Sequence, residues 1–451
     1  MLPTTDEGGF RADHLGRTGV PQKLSLLRWK LGQKAKQEPK FRFYALYDRI
    51  YRLDVLQTAY QQVRRLKSAA GVDEIRFGDI ESTSDGVEKF LAALQEDLRS
   101  KRYRPLPVRR VMIPKANGGQ RPLGIPSVRD RVVQMAALLI LEPIFESDFC
   151  DSSFGFRPQR NAHQALEQIQ SGIGRGKQEI YDADLQGYFD TIPHENLMRC
   201  VEHRISDRAV LRLIRMWLQS PIEEIDQQGQ VTLTRPESGT PQGGVISPLL
   251  ANLYLHWFEV MFHSPSGPAH WAKAELVRYA DDFVVLAYFQ GATLIDWIET
   301  TLETKFSLTI NREKTKIVRL SQGESLDFLG FTLRYERSVL QDAGQYLHVG
   351  PSRQSMTRLR DRLRELTSPR QCFKPLTQVV QEVNRMMRGW GNYFGHGHSR
   401  RAFAQANWFA YNRVARHANR RSQRGCRPPK DRSIYAHLYH YLSLQKLGNH
   451  K

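Results

Sequence analysis

Two adjacent aspartates stand in the middle of an otherwise apolar run. Residues 277–286 read Val-Arg-Tyr-Ala-Asp-Asp-Phe-Val-Val-Leu, a β-branched and aromatic pattern that predicts a buried strand pair with a polar centre. A buried carboxylate pair is costly unless something neutralises it. Asp281 and Asp282 must therefore sit on an exposed turn or be matched by cations. A second segment poses the same problem: Tyr181-Asp182-Ala183-Asp184-Leu185-Gln186-Gly187-Tyr188-Phe189-Asp190 reads as a strand leading into a turn. Either segment alone fits a plain surface turn, where Asp is a favoured residue. Together they fit a divalent-cation site, because Mg²⁺ takes hard oxygen ligands from one or two carboxylates and substrate phosphates. Two such ions roughly 3.5–4 Å apart are the apparatus of phosphoryl transfer.

The rest of the chain predicts helices around short strands. Residues 1–40 read as a polar tail leading into a helix, and residues 41–66 as one or two packed helices (Leu46, Ile50, Leu53, Leu56, Val63). A helix fits residues 87–98. Residues 108–113 run into Pro114-Lys115-Ala116-Asn117-Gly118-Gly119-Gln120-Arg121-Pro122, a strand, Gly-rich turn and strand. Residues 129–145 form a strong apolar helix expected to stop near Pro143, and residues 326–333 a short strand. From residue 351 the pattern is helical only. Met356, Leu359, Leu363 and Leu366 make one apolar face; Val379, Val383, Met386, Trp390 and Phe394 a second; Phe403, Tyr411 and Val414 a third.

Charge is concentrated in that last part. The formal net charge is +19, and residues 334–451 hold 23 Lys and Arg against 6 Asp and Glu. Most of these cations are Arg, whose fork matches phosphate geometry and stacks on bases. The surplus predicts a nucleic-acid partner rather than a membrane surface. The longest apolar stretch, residues 132–141, is too short for a membrane span of roughly 20 residues. The first thirty residues lack a secretory apolar segment. Four scattered cysteines without CxxC spacing exclude a disulfide scaffold and suit a reducing cytoplasm.

Tyr279-Ala280-Asp281-Asp282 resembles the catalytic hairpin of reverse transcriptases. Gly239-Thr240-Pro241-Gln242-Gly243-Gly244-Val245-Ile246-Ser247-Pro248-Leu249-Leu250-Ala251-Asn252 resembles the nucleotide and template loop of group II intron-encoded reverse transcriptases. Similar to the same family are Ile113-Pro114-Lys115, Arg121-Pro122-Leu123-Gly124-Ile125-Pro126, Ser153-Phe154-Gly155-Phe156-Arg157-Pro158 and Asp327-Phe328-Leu329-Gly330-Phe331. The resemblance covers residues 41 to about 420.

It implies an α+β fold: a right-hand polymerase whose fingers and palm carry an antiparallel sheet backed by helices, then an all-helical thumb. The expected divisions are an N-terminal extension (1–66), fingers with a template-covering loop around residues 68–76 (67–180), palm (181–350), thumb or maturase domain (351–421) and a short basic tail (422–451). Asp184, Asp281 and Asp282 are the implied catalytic carboxylates. Asp184, Asp281 and the Leu185 backbone are the implied ligands of two Mg²⁺ ions. Lys115, Arg121, Gln242 and Gly243 would contact the dNTP, and Phe189 would be the steric gate against a ribose 2′-hydroxyl. Phe328, Leu329 and Gly330 would be the primer grip. Arg157 and the thumb residues Arg385, Arg388, Arg413, Arg416 and Arg420 would hold RNA template, DNA primer or target, and intron RNA.

The implied activity is RNA-directed DNA synthesis in the cytoplasm, joined to maturase assistance of a group II intron. Two alternatives stay open: an intron-free reverse transcriptase of defence or repair, and a splicing-only RNA-binding protein, which the intact aspartates disfavour. The paired Cys and His ligands of a C-terminal nuclease domain are not expected here, and His396 and His398 read as loop residues.

Overall fold

Among the described residues, eleven strands punctuate the helices: β1 (Val108–Pro114), β2 (Gln120–Ile125), β3 (Glu179–Ala183), β4 (Ile222–Ile225), β5 (Val231–Thr234), β6 (Glu275–Tyr279), β7 (Asp282–Ala287), β8 (Lys316–Arg319), β9 (Leu326–Phe328), β10 (Phe331–Arg337) and β11 (Gln345–Pro351). The computed structural model describes residues 19–66, 69–114, 119–226, 228–338, 344–421 and 433–448. They divide into two units, residues 1–169 with 181–316, and residues 170–180 with 317–451.

In the first unit, β1 and β2 form the expected hairpin, with Arg109 opposite Ile125 and Pro114 opposite Gln120. β4 adds to β1 in parallel and β5 to β4 antiparallel, giving the order β2-β1-β4-β5. A second sheet places β6, β7 and β3 side by side in that order. β6 and β7 pair from Glu275 opposite Leu286 to Tyr279 opposite Asp282, the strand pair expected from residues 277–286. Phe283 through Ala287 are all buried, so the hairpin is pinned by its apolar half and leaves its acidic end at the turn.

The helix of residues 128–146 is the axis of this unit. Val128 and every residue from Asp130 to Phe145 are buried, and the helices of residues 22–37 and 53–65 pack on it. It does not stop at Pro143. A proline removes the N–H that would bond the carbonyl four residues back, here Leu139. Arg28 supplies the donor instead: its Nη1 bonds the Leu139 oxygen at 2.5 Å and its Nη2 the Glu142 carboxylate at 2.7 Å. Satisfied from outside, the helix continues to Glu146.

The second unit holds an antiparallel sheet β11-β10-β9 and the helical region. The expected single strand over residues 326–333 is a hairpin, because Leu329 (φ 49°) and Gly330 (φ 81°) form a two-residue turn with both backbones left-handed. The three amphipathic faces become helices at residues 353–366, 376–394 and 400–420. Leu363, Val383, Met387, Ala410 and Val414 meet in one core, joined by Leu438 and Leu444. Residues 433–448, within the stretch expected as a short basic tail, thus fold back onto the helices.

Arg28→Ala removes the charged donor shared by the Leu139 carbonyl and the buried Glu142 carboxylate, and is expected to destabilise the protein by about 3–5 kcal/mol. Denaturant unfolding checks this; a loss below about 1 kcal/mol would show that Pro143 needs no external donor.

Candidate active site

The β6–β7 turn is built to a strained shape and held from behind. Two residues, Ala280 and Asp281, span it, and Ala280 has φ 59°. An alanine in the left-handed region persists only where its surroundings fix it. Arg278, 1% exposed, does much of that fixing. Its Nη1 donates to the Ala280 carbonyl (2.9 Å) and to Asn252 Oδ1 (2.8 Å), and its Nη2 to Ser153 Oγ (2.7 Å) and Glu259 Oε2 (2.8 Å). Asn252 Nδ2 donates in turn to the Gly155 carbonyl at 2.7 Å. Gly155 lies against the turn so closely that a Cβ would meet the Ala280 nitrogen at 2.3 Å.

Asp184 follows β3, the neighbour of β7, and comes into range of both hairpin aspartates. Burial raises the pKa of Asp281, and the Asp184 charge adds to it against Arg121 and Arg278. Asp282 keeps an open surface but has protein packed closely around it. That desolvation, reinforced by Asp281, Asp184 and Asp182, pushes its pKa up to about 7. Mutual elevation is what like charges in one site produce. Lys314 Nζ lies 3.3 Å from Asp184 Oδ2, a partial counter-charge. Leu185 is buried beside Asp184, whose carbonyl accepts from the Asn311 N–H at 2.8 Å; the following Gln186 N–H donates to the Thr309 carbonyl at 2.8 Å.

The Gly239–Gly244 loop lies against the helix of residues 188–191. The Thr240 N–H donates to the Phe189 carbonyl at 2.6 Å and the Gly239 N–H to the Ile192 carbonyl at 2.7 Å. Phe189 is buried, with its ring edge-on to Tyr188. Gln242 connects the loop to the β1–β2 hairpin: Arg121 Nε donates to Gln242 Oε1 (2.7 Å), and Gln242 Nε2 to Asp190 Oδ2 (2.8 Å). Gly243 has φ 121°, and a Cβ there would meet the Gly124 carbonyl at 2.3 Å, so only glycine fits. Lys115 lies outside the described residues.

Arg157, expected at nucleic acid, is 8% exposed and bonds Glu146 together with the Cys150 and Ser153 carbonyls. It braces the segment whose Ser153 and Gly155 support the turn. Cys150, His256 and Glu259 bring ligand atoms within 4.8 Å of one another. Glu259 is already neutralised by Arg278, while burial and the Arg278 and Arg157 charges lower the His256 pKa to about 3. A cation there would meet a cationic field.

In the second unit, Phe328 is buried, Tyr393 Oη donates to the Leu329 carbonyl at 2.9 Å, and Ser355 Oγ to the Gly330 carbonyl at 2.8 Å. Arg385, Arg388, Arg416 and Arg420 are exposed. Arg413 is half-buried, bonding Thr367 Oγ1 at 3.0 Å, and so ties two helices together.

Arg278, Glu259 and Asp190 are the functional candidates that motif reading passed over. The available signals were a lone acid inside the apolar helix of residues 247–263 and a charged residue one step before the paired-aspartate motif.

The sequence profile described as "Reverse transcriptase (RNA-dependent DNA polymerase)" matches residues 113–333, and "Group II intron, maturase-specific domain" matches residues 356–433. The fold is that of a reverse transcriptase, and the chain is an RNA-directed DNA polymerase. It is 37% identical to Protein YkfC of Escherichia coli (strain K12) over 352 residues, 70% of this chain and 89% of that protein. It is 28% identical to the group II intron-encoded protein LtrA of Lactococcus lactis subsp. cremoris over 452 residues, 82% of this chain and 73% of that protein. The chain belongs to the family of group II intron-encoded reverse transcriptases that carry a maturase domain. Among the described residues, no helix is long and apolar enough to cross a membrane.

An acid whose pKa is higher folded than unfolded loses stability as pH rises through that interval. Asp282 opposes folding increasingly between about pH 4 and pH 7. In metal-free buffer, Asp282→Asn is expected to raise the melting temperature at pH 8, with the gain fading towards pH 4. A thermal shift series reads this, and a lower Tm at pH 8 would contradict it.

Proposed function

We propose that Asp184, Asp281 and Asp282 hold two Mg²⁺ ions and extend a DNA 3′ end on an RNA template. The supporting observation is the convergence of these three carboxylates from β3 and the β6–β7 turn, with the pKa of Asp281 raised by burial and the Asp184 charge, and that of Asp282 by burial and the Asp281 and Asp184 charges. An all-oxygen set short of positive charge suits Mg²⁺. When bound, the ions would supply charge neutralisation at the attacking hydroxyl and the leaving pyrophosphate.

The chain's own residues do the positioning. Asp184 and Asp281 are the principal ligands, with the Leu185 carbonyl as a backbone donor. Arg121 faces the triphosphate, and Lys115 joins it from the hairpin tip. Arg121 and Gln242 are bonded to each other here, so nucleotide binding exchanges that bond for contacts to phosphate and base. Gly243 lets the backbone approach the nascent pair. Phe189 closes the sugar side against a 2′-hydroxyl. The β9–β10 turn at Leu329 and Gly330 acts as primer grip, and the exposed arginines of the thumb hold template backbone and group II intron RNA, whose splicing the protein assists. Such phosphate contacts weaken with salt and are largely indifferent to sequence.

Primer extension on an RNA template with Mg²⁺ is expected to fall by about a thousandfold or more in Asp281→Ala. The same variant is expected to lose the Mg²⁺-induced rise in melting temperature of the parent. Synthesis that survives the substitution would remove the metal assignment. Phe189→Ala is expected to raise ribonucleotide incorporation at least tenfold relative to deoxynucleotide; unchanged sugar selectivity would dismiss the gate.

A further inference from the structure

The segment of residues 443–448 is fastened to the helical unit by two reciprocal asparagine clamps. Asn384 Nδ2 donates to the Ser443 carbonyl at 2.8 Å, while its Oδ1 accepts from the Gln445 N–H at 2.9 Å. Asn407 does the same for Leu447, at 3.0 Å to the carbonyl and 2.8 Å from the N–H. The Leu447 side chain packs so close to the helix of residues 376–394 that a Cβ on Gly391 would meet its Cδ2 at 2.5 Å. A strap seated this way has a defined position, and it walls a cavity of about 570 Å³.

The lining sorts by chemistry. Phe403, Leu444 and Leu447 give it apolar surface, Arg388, His440 and Lys446 bring positive or protonatable groups, and Gln445 adds an amide. No lining residue among the described ones is acidic. An apolar floor with a cationic edge suits a flat heterocycle joined to an anion, and the volume lies in the range of small-ligand sites. Arg and Lys are the usual partners of phosphate oxygens.

We propose that this cavity binds one unpaired nucleotide of a single strand, its base inside and its phosphate at Arg388 and Lys446. The choice of ligand class rests on the assignment of the chain to the RNA-directed polymerases; the cavity and its clamps do not. Recognition of this form targets bases that have left the stack, so a paired duplex would not enter.

The test uses the full chain with 15-nucleotide RNA and DNA strands of one sequence, each carrying a single photoreactive thio-pyrimidine. Crosslinked peptides are mapped by mass spectrometry, and affinity is read by fluorescence anisotropy. Adducts on Phe403 or Tyr439 are expected, with RNA alone, DNA alone or both identifying the natural strand. Lys446→Ala combined with His440→Ala is expected to weaken binding about tenfold and abolish those adducts, in a protein that melts as the parent does. Asn384→Ala with Asn407→Ala, which unseats the wall, should remove the adducts too. Adducts confined to other surfaces, or an affinity change below twofold in both double variants, would overturn the proposal. Asp281→Ala is expected to keep the adducts, so failure of this site and failure of the polymerase assignment are read separately.

Discussion

Arg278 and Glu259 form an ion pair sealed almost completely from solvent, and the placement of the β6–β7 turn depends on it. Removing one partner of such a pair costs about 3–5 kcal/mol, yet replacing both by apolar groups is often neutral or stabilising. Stability alone therefore does not explain why a strand and an apolar helix each carry a charge at this point. What the pair holds does. Arg278 reaches past Glu259 to the Ala280 carbonyl, and through Asn252 and Ser153 it ties the turn to the segment that presents Gly155. An alanine at φ 59° is kept there by bonds to its carbonyl and by a neighbouring glycine that leaves it room.

That rigidity serves an electrostatic purpose. Three carboxylates near one another repel, and a flexible turn would relieve the repulsion by swinging Asp281 and Asp282 into water. The apolar strand β7 below and the Arg278 network behind hold the turn in place, so desolvation first and carboxylate repulsion second stand as raised pKa values on both residues. A site of this kind stays short of positive charge until cations arrive. The Arg121–Gln242–Asp190 chain follows the same economy: the polar groups proposed to meet a nucleotide are partnered meanwhile by one another.

Much of this was legible in the residues. The acid-interrupted strand pair, the β1–β2 hairpin and the three amphipathic helices follow from periodicity, and each is present. The failures share a physical form. Pro143 was expected to end its helix because nothing local replaces the lost hydrogen bond; the replacement comes from Arg28, more than a hundred residues away. Residues 326–333 read as one strand because Leu329 carries no sign of a left-handed turn. Arg157 sits inside a motif suggestive of ligand contact, yet its guanidinium is taken up by Glu146 and two carbonyls. Residues 422–451 read as a short basic tail, yet Leu438 and Leu444 lie in the helical core. For Pro143 the decisive partner is distant in the chain, whereas the Leu329 turn and the Arg157 bonds are local; in neither kind does periodicity register the geometry that decides.

Divalent metal is expected to gather at Asp184 and Asp281 because the folded chain forces carboxylates together there with only partial counter-charge. Anomalous scattering from crystals grown with Mn²⁺, primer–template and an unreactive nucleotide tests it directly. The account predicts metal peaks in contact with both carboxylates that disappear in Asp184→Asn crystals. Peaks at Cys150, His256 and Glu259 instead, or none near the β6–β7 turn, would contradict it.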